Sequence, residues 1–203
     1  MHNFELVVIG AHFGVWLKDE ISKCLDKNIL LVEPVPYNYE ILKQEYSKLE
    51  NIKICTSVIY DQNKKEKFYF VKKESISKLG KHWASGIGSF DKQHILNHRT
   101  KRFKIENNDI QEIDINFITF DDLMKKYSIK SINKLQIDVE GAESKILNSI
   151  DFSKIEIRQI IFEFKHFDGT FKEGEKLEAF KKKLSLIGYR LKQLDKENIL
   201  AEK

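Results

Sequence analysis

The sequence predicts an α/β fold built on a mostly parallel, wound sheet, and three observations carry that expectation. Glu5-Leu-Val-Val-Ile-Gly-Ala-His-Phe-Gly14 is an apolar strand running straight into a glycine turn. Ile29-Leu-Leu-Val-Glu-Pro34 is a second apolar strand, closed by an acid and a proline. Short apolar runs then alternate with amphipathic stretches over most of the chain, the pattern of parallel strands joined by crossover helices.

Leu6 to Ile9 is too short for a buried helix and reads as a central strand. Gly10 and Gly14 open a helix carrying Trp16, Leu17, Ile21 and Leu25. Lys27 to Glu33 is the second strand. Pro34 and Pro36, the only prolines, stop it and start a helix reaching about Leu49, because proline lacks a ladder donor yet suits a first helical turn. Asn51 to Ser57 is a third strand. The alternation then breaks: Val58 to Tyr60, Lys67 to Val71, Arg99 to Ile105 and Ile110 to Ile118 read as short antiparallel strands around a loop, Glu74 to His98, holding Gly80, Trp83, Gly86 and Gly88. This middle, about residues 58–118, is expected to be a β-rich insertion over the ligand face of one domain spanning residues 1–203.

Alternation resumes at Thr119, where Thr-Phe-Asp-Asp predicts a capped helix bearing Leu123, Met124 and Tyr127. Lys134 to Val139 is a strand, Glu143 to Ile150 a helix, Ile155 to Phe164 a strand, and Glu173 to Ile187 a helix ended by Gly188. Tyr189 to Leu194 and Asn198 to Ala201, parted by Asp-Lys-Glu, form a closing antiparallel hairpin.

Composition suits a core of this size. The chain has 203 residues, 41% of them hydrophobic, which suffices for one substantial core. Its longest apolar runs fall far short of a spanning helix, and Met1 leads into a strand rather than a signal peptide, which points to the cytoplasm. Cys24 and Cys55 each sit in an apolar pattern and read as buried thiols rather than a disulfide. A net charge of +4, spread along the chain, is a solvated surface and weak support for nucleic acid.

The glycine turn and the acid after the second strand together suit a nucleoside. Glycines let the backbone approach a ligand, the turn leads into a helix N-terminus, and an acid in the place of Glu33 accepts hydrogen bonds from both ribose hydroxyls. A dinucleotide fingerprint needs G-x-G-x-x-G, but residue 12 is His and the turn reads G-x-x-x-G. That spacing favours S-adenosylmethionine, whose amino-acid tail replaces a pyrophosphate.

Four stretches carry a family resemblance: Gly10-Ala-His-Phe-Gly14, Val32-Glu-Pro34, Ile118-Thr-Phe-Asp-Asp-Leu123, and above all Leu135-Gln-Ile-Asp-Val-Glu-Gly-Ala-Glu143. Over about Glu5 to Phe164 the chain resembles the FkbM family of S-adenosylmethionine-dependent methyltransferases. The resemblance implies a seven-stranded Rossmann-like class I methyltransferase fold and transfer to a hydroxyl oxygen of a sugar, glycan or secondary metabolite. Val8 departs from the pattern, standing where relatives carry an acid that helps hold the cofactor's amino group. Many relatives also have a segment ahead of the first strand, which here begins close to Met1.

These readings assign Gly10, Ala11, His12, Phe13, Gly14, Glu33, Pro34, Ser57 and Asp138 to the cofactor. Asp138, Glu140 and His166 follow the fourth and fifth parallel strands and are candidates to accept the hydroxyl's proton. Glu143 is expected to favour its helix start. Trp83, Ser85 and Ser89 are the acceptor-side candidates, on a glycine-hinged loop. Two carboxylates at one mouth can also hold Mg²⁺. His94 and His98 have the i, i+4 spacing of a helical chelate, but the sequence shows no third ligand, so no metal site is assigned. The acceptor is expected to be a small molecule or glycan. A cofactor-binding protein without transfer activity and a nucleic-acid methyltransferase are the alternatives.

Overall fold

A computed structural model describes residues 1–100, 103–165, 167 and 174–203. In chain order, β1 (His2–Ile9) runs into a 3-10 turn (Val15–Leu17) and α1 (Lys18–Ser22), followed by β2 (Asn28–Val32), α2 (Pro36–Tyr46) and β3 (Ile52–Cys55). The middle holds β4 (Val58–Tyr60), β5 (Lys64–Val71), α3 (Lys73–Leu79), a 3-10 turn (His82–Gly86), β6 (Gly88–Ser89), α4 (Lys92–Asn97), β7 (Arg99–Thr100), β8 (Phe103–Lys104) and β9 (Ile110–Thr119). The chain closes with α5 (Phe120–Lys126), β10 (Ile129–Ile137), α6 (Glu143–Ser149), β11 (Glu156–Glu163), α7 (Glu175–Leu186), β12 (Arg190–Gln193) and β13 (Asn198–Glu202).

Seven strands make the central sheet, in the order β12-β13-β11-β10-β1-β2-β3. Pairing is parallel from β3 to β11, and β13 is antiparallel to both β11 and β12. This is the predicted fold, hairpin included. Alternation along β1 and β2 divides the core. Leu6, Val8, Ile29 and Leu31 pack with Leu17, Ile21, Leu42 and Tyr46 of the first helices. Val7, Ile9, Leu30 and Val32 pack on the opposite face, in a core shared with α5, α6 and α7 through Phe120, Ile146 and Phe180.

Four expectations need correction. Trp16 and Leu25 are exposed, because a 3-10 turn precedes the five-residue α1 and brings Leu17, Ile21 and Cys24 inward instead. β4 pairs with β9 in parallel, not antiparallel, because the chain after β4 turns back along β5 before β9 returns beside β4. Residues 74–98 are not a loop, since α3, the 3-10 turn, β6 and α4 organise them, and α4 is capped by the Asp91 side chain accepting the Gln93 N–H at 2.8 Å. β10 begins at Ile129 rather than Lys134, because Ile129, Ser131 and Ile132 pair with His2, Asn3 and Phe4 of β1, across a register shift at Lys130.

Elsewhere the local chemistry acts as read. Thr119 Oγ1 accepts the Asp122 N–H at 3.1 Å to start α5. Both cysteines are buried free thiols.

Candidate active site

The sheet's strand order reverses between β1 and β10, the place where open α/β sheets bind ligands. A crevice opens there, lined by Gly10, Glu33, Pro34, Ser57, Asp138 and Val139 on the sheet side and by Phe68, Gly86, Gly88, Ser89 and Phe90 on the insertion side. Gly10 is required by the backbone: its φ is +90°, and a Cβ there would lie 1.7 Å from the Asp138 carbonyl oxygen. Gly10 and Ala11 both donate N–H bonds to the Val32 carbonyl at 3.0 Å, which seals the turn onto β2.

Glu33 is 4% exposed and held by that same turn. Its Oε2 accepts the His12 N–H at 2.8 Å and its Oε1 the Val35 N–H at 2.9 Å. Burial pushes its carboxyl up to about 7, partly offset by those N–H donors and the Asn38 side chain. The two N–H bonds and the Asn38 side chain leave part of the carboxylate's lone-pair capacity for another donor.

The insertion closes the crevice. His12, in the left-handed region at φ 54°, brings its Nε2 within 2.6 Å of Ser85 Oγ. The Ser85 carbonyl accepts from Asn38 Nδ2 at 2.8 Å and from Tyr37 Oη at 3.4 Å. Burial lowers the His12 imidazole to about 4, so the ring is neutral and presents one N–H and one lone pair. The space left between the walls is about 50 Å³, against roughly 300–1,000 Å³ for ordinary ligand pockets.

Acids gather on the β10 side. Oxygens of Asp138, Glu143 and Glu163 lie within 4.8 Å of one another. Glu143 is fully buried and accepts the Val139 N–H at 2.8 Å and the Gly141 N–H at 2.9 Å, so it clamps the turn after β10. Burial, with Asp138 and Glu163 nearby, raises its carboxyl well above the usual range.

Of the sequence-predicted residues, Gly10, Glu33, Pro34, Ser57, Asp138 and Ser89 meet at the crevice. Ala11 is fully buried, and Phe13 lies with its ring 3.8 Å from that of His12. Gly14 adopts φ 75° at the start of the 3-10 turn. Ser85 faces His12, and Ser89 Oγ accepts the Asp91 N–H at 3.1 Å. Trp83 is 49% exposed and does not line the crevice. Glu140 turns toward α4, with His98 Nε2 3.7 Å from its Oε2. His166 lies outside the described residues. Val8 belongs to the core packed under α1 and α2.

Sequence reasoning missed Asn38, Tyr37 and Glu163. Glu163 had a signal, as an acid ending a strand beside β10. Asn38 had none, because a buried amide inside a helix reads as a surface residue until its partner is seen.

The FkbM methyltransferase domain matches residues 9–191. The chain therefore belongs to the FkbM family, a family of S-adenosylmethionine-dependent methyltransferases. Similar solved structures include fibrillarin from Aeropyrum pernix with natively bound S-adenosyl-L-methionine, at 13% identity and TM-score 0.46, covering 98% of this chain and 66% of that one. A putative methyltransferase from Streptococcus mutans, in complex with SAH, has 9% identity and TM-score 0.48 and covers 100% of this chain and 89% of that one. Precorrin-6y C5,15-methyltransferase from Geobacter metallireducens has 10% identity and TM-score 0.46, covering 100% and 82%. The chain thus spans about two thirds of the fibrillarin's length. No curated protein matches the sequence.

Proposed function

We propose that this chain transfers a methyl group from S-adenosylmethionine to a hydroxyl oxygen of a small molecule or glycan. The observation that carries the reading is the buried Glu33 at the end of β2, held by the glycine turn and facing the crevice with Asp138. The donor chemistry fits the cofactor: a carboxylate with spare lone pairs for ribose hydroxyls, apolar Pro34, Val35, Val58 and Ile59 for a flat ring, and Asp138 for a cation. The space does not fit while Gly86 to Phe90 fill it. Binding therefore requires that segment to swing away from the glycine turn, breaking the contact of Ser85 with His12.

Bound S-adenosylmethionine supplies an activated methyl on a positive sulfur. The protein's share is to align an acceptor oxygen with that carbon, exclude water and take up one proton. Asp138, on the β10 side of the crevice wall, takes that proton in this reading. Glu33 holds rather than reacts, since one N–H donor on each oxygen fixes the carboxyl in place. Ser89 and Phe90, on the opposite wall, meet the acceptor.

The test is incubation of the purified full chain with labelled S-adenosylmethionine and a panel of sugar and phenolic acceptors. The expected result is acceptor-dependent release of S-adenosylhomocysteine, lost in Asp138→Asn while S-adenosylhomocysteine, whose sulfur is neutral, still binds. Binding with no release on any acceptor favours the cofactor-binding reading without transfer, for which Val8 in place of an acid is the specific observation.

A further inference from the structure

Helix α4 of the insertion and the turn after β10 are far apart in sequence, yet they bring three metal-ligating side chains to one point. His94 and His98 direct their Nε2 atoms at each other across 3.2 Å, with rings close to perpendicular. Glu140 Oε2 lies 3.7 Å from His98 Nε2, and one ligand atom from each of the three falls within 4.8 Å of the others. Two imidazole nitrogens on one tetrahedral zinc, each at about 2.0–2.1 Å, stand roughly 3.3 Å apart. The two rings hold that spacing here as a hydrogen-bonded pair, and it is also the spacing of a chelate.

The backbone sets this up. His94 is buried in α4, and His98 is its C-cap, so the i, i+4 pair is presented by a helix end rather than by two independent loops. Glu140 holds φ 58°, a left-handed conformation that costs a non-glycine residue on the order of 1 kcal/mol or more. In that conformation its carboxylate reaches the imidazoles.

We propose that His94, His98 and Glu140 bind one divalent transition-metal ion, with Zn²⁺ the best match to two imidazoles and a carboxylate. The ion ties α4 to the turn that carries the Asp138-Val-Glu-Gly-Ala motif. Three protein ligands leave a fourth tetrahedral position, which water fills. This metal binding does not rest on the methyl transfer proposed above.

The experiment uses the full chain, stripped with a chelator and titrated with Co²⁺ as a spectroscopic probe, then with Zn²⁺ in competition. One equivalent of Co²⁺ should give visible absorption of a low-coordinate site, and Zn²⁺ should displace it. Glu140→Gln and His98→Gln should each weaken binding by about 100-fold or more, with circular dichroism confirming that they fold. X-ray absorption at the zinc edge of the unmutated protein should show imidazole scattering, a readout independent of any variant. No absorption change up to about 1 mM Co²⁺, an unchanged affinity in both variants, or sulfur neighbours at the zinc would overturn the proposal. The first of these leaves the trio a hydrogen-bonded cluster only. None of these readouts depends on methyl transfer, so failure there and failure here are distinguishable.

Discussion

On the sheet side of the crevice, Gly10 and Ala11 donate to the Val32 carbonyl, Asp138 N–H to the Ile9 carbonyl, and the His12 and Val35 N–H groups to Glu33. On the insertion side, the contacts that reach across come from side chains: His12 to Ser85, and Asn38 and Tyr37 to the Ser85 carbonyl. Backbone bonds integral to a parallel sheet yield only with the sheet. Side-chain bonds of about 1 kcal/mol each break and reform without it. The contrast assigns the two walls their parts, one to hold the cofactor and the other to move.

The comparison is sharpest at Gly10. An alanine there meets both a left-handed φ and the Asp138 carbonyl 1.7 Å away, so Gly10→Ala should cost more than about 3 kcal/mol, read as a lower urea midpoint or failure to fold. A shift below about 1 kcal/mol would mean that the sheet wall yields as readily as the other.

Next in size is a pair of opposed pH effects. Folded Glu33 keeps its proton to about 7 while the unfolded group releases it near 4.5, so the folded state binds more protons in that window and stability falls as pH rises. Folded His12 loses its proton at about 4 against 6.5 unfolded, so the unfolded state binds more protons and stability rises with pH. Each slope is at most about 1.4 kcal/mol per pH unit, and they oppose each other between 4.5 and 6.5. Urea titrations across that window should show Glu33→Gln gaining stability with rising pH relative to the parent, and His12→Gln losing it. Three parallel profiles would contradict both assignments.

Smaller still is the effect of the closing contact. Ser85→Ala removes a side-chain bond that opening must break, so S-adenosylhomocysteine should bind several-fold more tightly by calorimetry. Weaker binding would place Ser85 among the groups that hold the ligand instead. Gly86→Ala is the mildest change. Its Cβ would meet the His12 ring first, at 3.8 Å, an ordinary van der Waals contact, and stability measured by thermal melting should stay within about 0.5 kcal/mol.

The same division explains what was legible in the sequence. The sheet wall follows from local pattern: an apolar run into Gly10, an acid ending β2, and a threonine cap before β10 each carry their own signal. The insertion wall depends on pairings with no local signature. Nothing near Ser85 announces that its hydroxyl meets His12 or that its carbonyl meets Asn38. Aromatics in a glycine-rich loop suit an acceptor platform, which is the expectation at Trp83, yet the helical turn that holds it leaves the residue half in solvent. Glu140 was visible as an acid in the motif, and His94 with His98 as a helical pair, but only the fold brings them together.

Titration of the full chain with S-adenosylhomocysteine by calorimetry tests most directly the claim that this crevice takes the cofactor on Glu33. The account predicts saturable one-to-one binding that weakens by well over about tenfold in Glu33→Ala, a loss of at least roughly 1.4 kcal/mol. Absence of heat at millimolar ligand, or an affinity untouched by Glu33→Ala, would contradict it.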